Sequence, residues 1–313
     1  MTRLIITGVF SALFFSSTFV LNRAMSLQGG HWLWSASLRY FYMFVMLSAW
    51  LMITGKSRLL REVFTTYRDN WRFWTVAGST GFGLFYSLLT FSSSFAPGWV
   101  VATTWQSTIL ATPLVLLVFR KRVPMRGILF TLLIFTGIVL VTCEQANAAS
   151  LRETMLGILP VLAAAFAYPL GNQMVWEARH GSIGTKPGVE GGVLDSSIGR
   201  VLIMVVGSLP FWVVLTVVLR PPPPTGGQLV NTAIVAVFSG VIATTLFYKA
   251  RHLARTPLEL SAVDATQAME VVFSLLGEIV FLGGAWPGYS GTAGVALSLL
   301  GLVLYVRSQA AAD

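Results

Sequence analysis

With 313 residues, 55% of them hydrophobic and only 11% charged, the chain lacks the charged surface of a soluble domain, which carries about 25%. It reads as an integral membrane protein whose main partner is the lipid bilayer. A single cysteine, Cys143, excludes an intramolecular disulfide and a thiolate cluster, and His31, His180 and His252 all fall at span ends or in loops, so no metal and no cofactor is expected. The net charge of +9 reflects membrane topology rather than nucleic acid, because the basic residues gather in loops on one side.

Ten apolar runs of about 20 residues, each long enough to span a bilayer, follow one another at 4–25, 33–54, 72–94, 98–119, 127–143, 155–176, 197–219, 230–250, 258–282 and 290–307. The first has no small-residue cleavage pattern before Asn22 and Arg23 and is expected to stay as a span. Trp32, Trp34, Trp71 and Trp74 sit at span ends, where aromatic belts form. Loop two carries Lys56, Arg58, Arg61, Arg68 and Arg72, and loop four Arg120, Lys121, Arg122 and Arg126. Loop 177–196, rich in glycine, holds Arg179 and Lys186, and loop eight Lys249, Arg251 and Arg255. The opposite side has only Arg152 and Arg220, so both termini are expected in the cytoplasm and the protein in the cytoplasmic membrane, the inner membrane of a cell with two. Pro221 to Pro224 stiffen the loop after span seven.

Span nine stands apart. Glu259, Asp264, Glu270 and Glu278 are a third of the chain's twelve acidic residues. A charge at the bilayer centre costs roughly 2.5–3.5 kcal/mol, so this helix is expected to turn its acids toward protein or water. At about 100° per residue, Glu259, Thr266, Glu270, Ser274 and Gly277 share one face, Gln267 and Glu278 flank it, and Asp264 lies off it. Such a stripe lines a pathway or holds structural ion pairs.

The chain also repeats itself. Leu84-Phe85-Tyr86 recurs as Leu246-Phe247-Tyr248, followed by Pro97 and Pro257, Gln106 and Gln267, and the glycine pairs Gly127/Gly137 and Gly291/Gly301. Arg39 and Arg200 share the 161-residue offset of the two glutamines, and Asn22 and Asn172 hold like places in spans one and six. Two halves of five spans, 1–150 and 151–313, must cross the membrane in opposite senses. The expected fold is all-α, ten transmembrane helices as two inverted five-helix repeats, a secondary-transporter architecture with its site near the midplane. Pro113 and Pro169 inside spans mark either packing kinks or carbonyls freed toward a wet cavity.

Ser17-Thr18-Phe19-Val20-Leu21-Asn22, Ser37-Leu38-Arg39-Tyr40, Gly127 to Val141 and Gly291 to Tyr305 resemble the helix signatures of the drug/metabolite transporter superfamily with its EamA-like repeats. Asp264 to Phe273 and Leu276-Gly277-Glu278 are most similar to the putative multidrug resistance efflux transporter family. The resemblance implies efflux of drugs or metabolites. There are departures: Phe119-Arg120 and Gly283-Gly284 stand where many relatives have Gly-Glu. The small four-helix exporters of the superfamily use a carboxylate in their first helix, and the run from Leu4 to Met25 has none.

Thr103, Gln106 and Trp105 in span four, with Gln267, are candidates for substrate contact, the two amides binding substrate or each other. Tyr86 and Tyr248, and Asn22 and Asn172, are candidates beside them, the tyrosines either as an aromatic wall for organic cations or as packing. Arg39 with Glu278 toward one face, and Arg200 with Glu259 toward the other, are candidate gates, with snorkelling to the interface as the alternative for both arginines. A carboxylate held away from water favours its neutral form, so Glu270 or Asp264 is the candidate to trade a proton or another cation against substrate.

The expected function is therefore secondary active export of small organic compounds by alternating access, with no enzyme activity. A membrane-embedded enzyme using the carboxylates of span nine is the alternative, though no HExxH motif and no in-span histidine support it. No Walker motif suggests an ATP-driven pump.

Overall fold

In hydrocarbon a chain must satisfy its own backbone N–H and C=O groups, so long apolar runs fold as helices. The computed structural model describes residues 2–120, 128–180, 192–255 and 257–310, and among these there is helix and no strand. Lys121, Arg122, Arg126 and Gly127, with most of the glycine-rich insert including Lys186, lie outside the described residues.

In chain order the helices are α1 (Thr2–Leu27), α2 (Trp32–Ile53), α3 (Ser57–Asp69), α4 (Trp71–Gly78), α5 (Phe85–Ser92), α6 (Gly98–Trp105), α7 (Thr108–Val118) and α8 (Ile128–Ala148). They continue as α9 (Leu151–Arg179), α10 (Ser197–Leu219), α11 (Gly226–Val235), α12 (Thr244–Leu253), α13 (Pro257–Ala265), α14 (Met269–Leu282) and α15 (Tyr289–Ala310). Nine helical stretches among the described residues are long and apolar enough to cross a membrane. The run expected at 72–94 is helical from Trp71 to Ser92 but is not among the nine. Arg72, Gly78, Ser79, Thr80, Gly81 and Gly83 dilute its apolar content.

Two expected loops prove more ordered. Loop two contains the amphipathic helix α3, with Arg58, Arg61 and Arg68 exposed. Its other side, Leu59, Leu60, Val63 and Tyr67, packs with Leu202 and Ile203 of α10. Lys249 and Arg251 are not in a loop, since α12 runs on to Leu253. Side-chain oxygens fix several helix starts: Ser150 and Glu153 form a reciprocal capping box on α9, Ser196 accepts the Gly199 amide at 3.3 Å, and Thr225 accepts that of Gln228 at 3.2 Å.

The helices break where the sequence repeats. A π-helical stretch, Ser79–Leu84, joins α4 to α5, and another, Ala236–Ala243, joins α11 to α12. Between α6 and α7 the ladder tightens, with Gln106 N–H to Thr103 C=O at 3.1 Å and Ser107 N–H to Thr104 C=O at 3.0 Å. Between α13 and α14 the 3₁₀ turn Thr266–Ala268 contains Gln267. Both repeated glutamines thus sit at mid-span interruptions, which are tolerated at membrane depth only against protein or a wet cavity.

Packing interleaves the chain. α1 lies against α11 to α14, and α9 against α4 to α8, so each of these long helices packs mainly against elements distant in the chain order. α9 meets the π-helical stretch through Gly171 on Gly81, where a Cβ on either would strike the other's backbone. α8 and α15 form a pair through Gly137 and Gly294. Glu144 ties their ends by accepting the Gly288 amide at 2.7 Å, the Gly291 amide at 3.2 Å and the Ser290 hydroxyl.

Candidate functional site

The polar face of span nine turns inward. Thr266, Glu270, Ser274 and Gly277 are buried, while Val280 and Phe281 are 70% and 79% exposed on the other side. Glu270 has no hydrogen bond or ion pair with any described residue. One turn on, the buried Ser274 hydroxyl is also without a partner, as are Thr104 and Ser107 at the break in span four. Unpaired polar groups are rare in a protein interior; among the described residues others lie elsewhere, such as Ser48 and Trp74, but Thr104, Ser107, Glu270 and Ser274 all belong to the two interrupted spans.

Beside them stands an aromatic wall. Phe85 stacks obliquely on Trp105 and on Tyr168 at 4.9 Å each, and Trp105 meets Tyr168 edge-on at 5.6 Å. Tyr168 pairs with the Asn172 side chain and lies within electrostatic reach of Glu270, Tyr248 and Arg39. Tyr40 joins Tyr86 and Trp212 in a second aromatic group.

Toward the end of the bundle where α1 finishes and α6 begins, the molecule is sealed. Arg39 donates to Thr18 Oγ1 at 3.1 Å and Ser239 Oγ at 3.0 Å, and its guanidinium lies 4.2 Å from the Tyr86 ring centre. Asn22 Nδ2 donates to the Tyr86 hydroxyl at 3.0 Å. A guanidinium out of water needs such donors' partners and π faces to offset its lost hydration. Nearer the surface, Glu278 accepts the Gly98 amide at 2.9 Å and faces Arg23 at 4.0 Å. Arg23 in turn donates to the carbonyls of Ser93 at 3.2 Å and Ser94 at 3.4 Å. The pairing of Arg39 with Glu278, expected from equal depth, is therefore corrected: each has other partners, the terminal nitrogens of Arg39 donating to two hydroxyls beside a ring deeper in the bundle.

At the opposite end lies a depression that is open to the surface. A cavity of about 530 Å³ is lined by Ser197, Arg200, Tyr248, Lys249, Arg251 and Leu260. Arg200 donates to the Leu194 carbonyl at 3.0 Å and to Ser197 Oγ at 3.4 Å. Glu259, its expected partner, accepts the Arg255 amide at 2.8 Å. Asp264 pairs with Arg251 at 2.7 Å, which separates it from Glu270. Tyr248 and Asn172, counterparts of the packed Tyr86 and Asn22, are both exposed.

The two amides do not meet. Gln106 Nε2 donates to Ala102 C=O at 3.3 Å, and Gln267 Nε2 reaches Thr266 Oγ1 at 3.5 Å. Thr103 Oγ1 donates to the Trp99 carbonyl of its own helix at 2.8 Å. Several residues at the site carry no role in the sequence reading, among them Arg23, Phe85, Thr104, Ser107, Tyr168 and Ser239. Arg23 follows Asn22 in the first-helix signature and was legible as a charge at a span end. Tyr168 precedes Pro169 but has no counterpart in the other half, and Ser239 gave no signal.

Comparison with known proteins fits this architecture. The family described as "Putative multidrug resistance efflux transporter" matches residues 2–311. The chain is 39% identical over 320 residues to "Uncharacterized protein YjlA" of Bacillus subtilis (strain 168), covering 97% of this chain and 94% of that one. It is 36% identical over 281 residues to "Uncharacterized 42.1 kDa protein in intracellular alkaline protease 3'region" of Shouchella clausii, covering 86% and 70%. A crystal structure with 16% identity superposes with a TM-score of 0.60 over 97% of this chain and 96% of that chain, a shared fold. The chain is thus an integral membrane protein and belongs to the putative multidrug resistance efflux transporter family, a transporter family consistent with the drug/metabolite transporter superfamily.

Proposed function

We propose that the protein is a secondary active transporter that exports small organic compounds across the cytoplasmic membrane by alternating access. Trp71–Ser92 serves as the tenth span beside the nine more apolar ones. The two inverted halves are 1–150 and 151–313, and both termini lie on the cytoplasmic side with the basic loops. Interrupted helices at Gln106 and Gln267, and π-helical stretches ahead of Tyr86 and Tyr248, support the repeat.

One observation carries the reading. Arg39 and Tyr86 are packed together at the sealed end, while their counterparts Arg200 and Tyr248 stand in the wall of the open cavity. In a symmetric pair of repeats this difference is what one face closed and the other open requires. The transport step exchanges these two arrangements around a central site. That site offers Glu270, the Phe85–Trp105–Tyr168 wall and the unpaired hydroxyls of Thr104, Ser107 and Ser274. Glu270 is the coupling carboxylate, binding a proton or another cation in one state and releasing it in the other. The acids of span nine have separate surroundings, Asp264 on Arg251 and Glu278 on Gly98, so they form no catalytic pair and the enzyme reading gains no support.

Purified protein in proteoliposomes, assayed for uptake and counterflow across organic cations and amino acids with and without a pH gradient, tests this. Saturable, gradient-driven movement of at least one class is expected. Absence of both gradient-driven transport and counterflow for every class would contradict it.

A further inference from the structure

We propose that the open cavity between α10, α12 and α13 binds a phosphate-bearing anion. Its wall brings three cations together from two helices: Arg200 from the first turn of α10, and Lys249 and Arg251 from the end of α12. Like charges in one concavity repel, and the low-dielectric walls strengthen the field between them. An anion relieves that repulsion.

The cations are only partly neutralised by the protein. Asp264 pairs with Arg251 at 2.7 Å. Arg200 is held by neutral acceptors, the Leu194 carbonyl and Ser197 Oγ, which aim the guanidinium and leave its charge intact. Lys249 has no carboxylate within ion-pair distance among the described residues. Of the nearby acids, Asp195 pairs with Arg179 at 2.8 Å, and Glu259 accepts the Arg255 amide at 2.8 Å.

The remaining wall suits a phosphoryl group. The hydroxyls of Ser197 and Tyr248 add donors beside the Arg200 fork, which matches phosphate oxygens in pairs. The 23-residue helix α10 also directs its positive end here. Leu260 gives an apolar side on which an organic portion can rest. Because the lining residues stand at helix ends, both a phospholipid headgroup and a soluble phosphate compound can reach them.

The test uses the full chain and needs no transport, so it fails or succeeds apart from the efflux reading. In neutral detergent, inorganic phosphate is titrated against chloride at matched ionic strength, with thermal stability and calorimetry as readouts. In parallel, the protein is placed in vesicles of phosphatidylcholine with and without phosphatidylglycerol. Stabilisation by phosphate identifies a soluble ligand, and stabilisation only by phosphatidylglycerol identifies the headgroup; either supports the site. Lys249→Gln and Arg200→Gln should each weaken the response about tenfold, whereas Arg61→Gln, which removes an equal charge on exposed α3, should not. Should Arg200→Gln fail to fold, the exposed Lys249→Gln still decides the matter. No stabilisation beyond chloride and phosphatidylcholine, or equal responses in wild type and Lys249→Gln, would overturn the proposal.

Discussion

The guanidinium of Arg39 rests 4.2 Å from the centre of the Tyr86 ring and donates to hydroxyls of two other helices, Thr18 on α1 and Ser239 in the π-helical stretch before α12. One side chain thereby joins both halves of the chain at the sealed end. Arg200, at the same place in the repeat, bonds among the described residues to its own first turn and the segment before it.

The seal nearer the surface rests on Glu278. Glu278→Ala strips the Gly98 amide and Arg23 of a shared partner and is expected to cost about 1–3 kcal/mol. Glu278→Gln keeps an acceptor for Gly98 and loses only the charge opposite Arg23, so it should cost less. Thermal unfolding of both variants checks this, together with labelling of a cysteine at Ser93, which is fully buried under the seal. Equal stability of the two variants would show that the amide contact contributes nothing.

Topology is testable from outside intact cells. In a Cys143→Ser background, a cysteine at exposed Gly226 should react with an impermeant reagent, and one at exposed Ser57 should not. Reaction at Ser57 together with silence at Gly226 would invert the orientation, and reaction at both would break the ten-span arrangement.

Much of this was legible in the sequence, and the losses have physical causes. Apolar length located nine of the ten expected spans among the described residues, and helical periodicity put Glu270 and Ser274 on the face that turns inward. The repeat marked Gln106 and Gln267, where both helices break, although nothing in the residue types announces a 3₁₀ turn. Depth counting matched Arg39 to Glu278 because it assumed that a cation in a membrane needs an anion. Two hydroxyls and an aromatic ring serve instead, and they come from residues as distant in the chain as Thr18, Tyr86 and Ser239. Loop two concealed α3 because its apolar residues recur at helical spacing among many charges, a pattern of surface helices rather than of spans.

Glu270→Gln should preserve the fold, since the amide keeps the shape of the carboxyl group and Glu270 has no ion pair to lose among the described residues. Gradient-driven transport should be abolished, while counterflow of substrate persists. Expression, thermal stability and both transport modes are measured side by side. Gradient-driven transport at the wild-type rate would remove Glu270 from the coupling step, and loss of expression in the Gln variant would assign it a structural role.

The most direct measurement follows both faces at once. A cysteine at Ser93 reports the sealed end, and one at Lys249 reports the open cavity. Arg39→Ala removes the hydrogen bonds and ring contact that hold the seal, so it should raise labelling at Ser93 and lower it at Lys249. Arg200→Ala removes the counterpart needed to close the cavity, so it should keep Lys249 reactive and suppress labelling at Ser93. Opposite shifts in the two variants are the predicted result. Shifts in the same direction at both positions, or none in either variant, would contradict alternating access through these mirrored arginines.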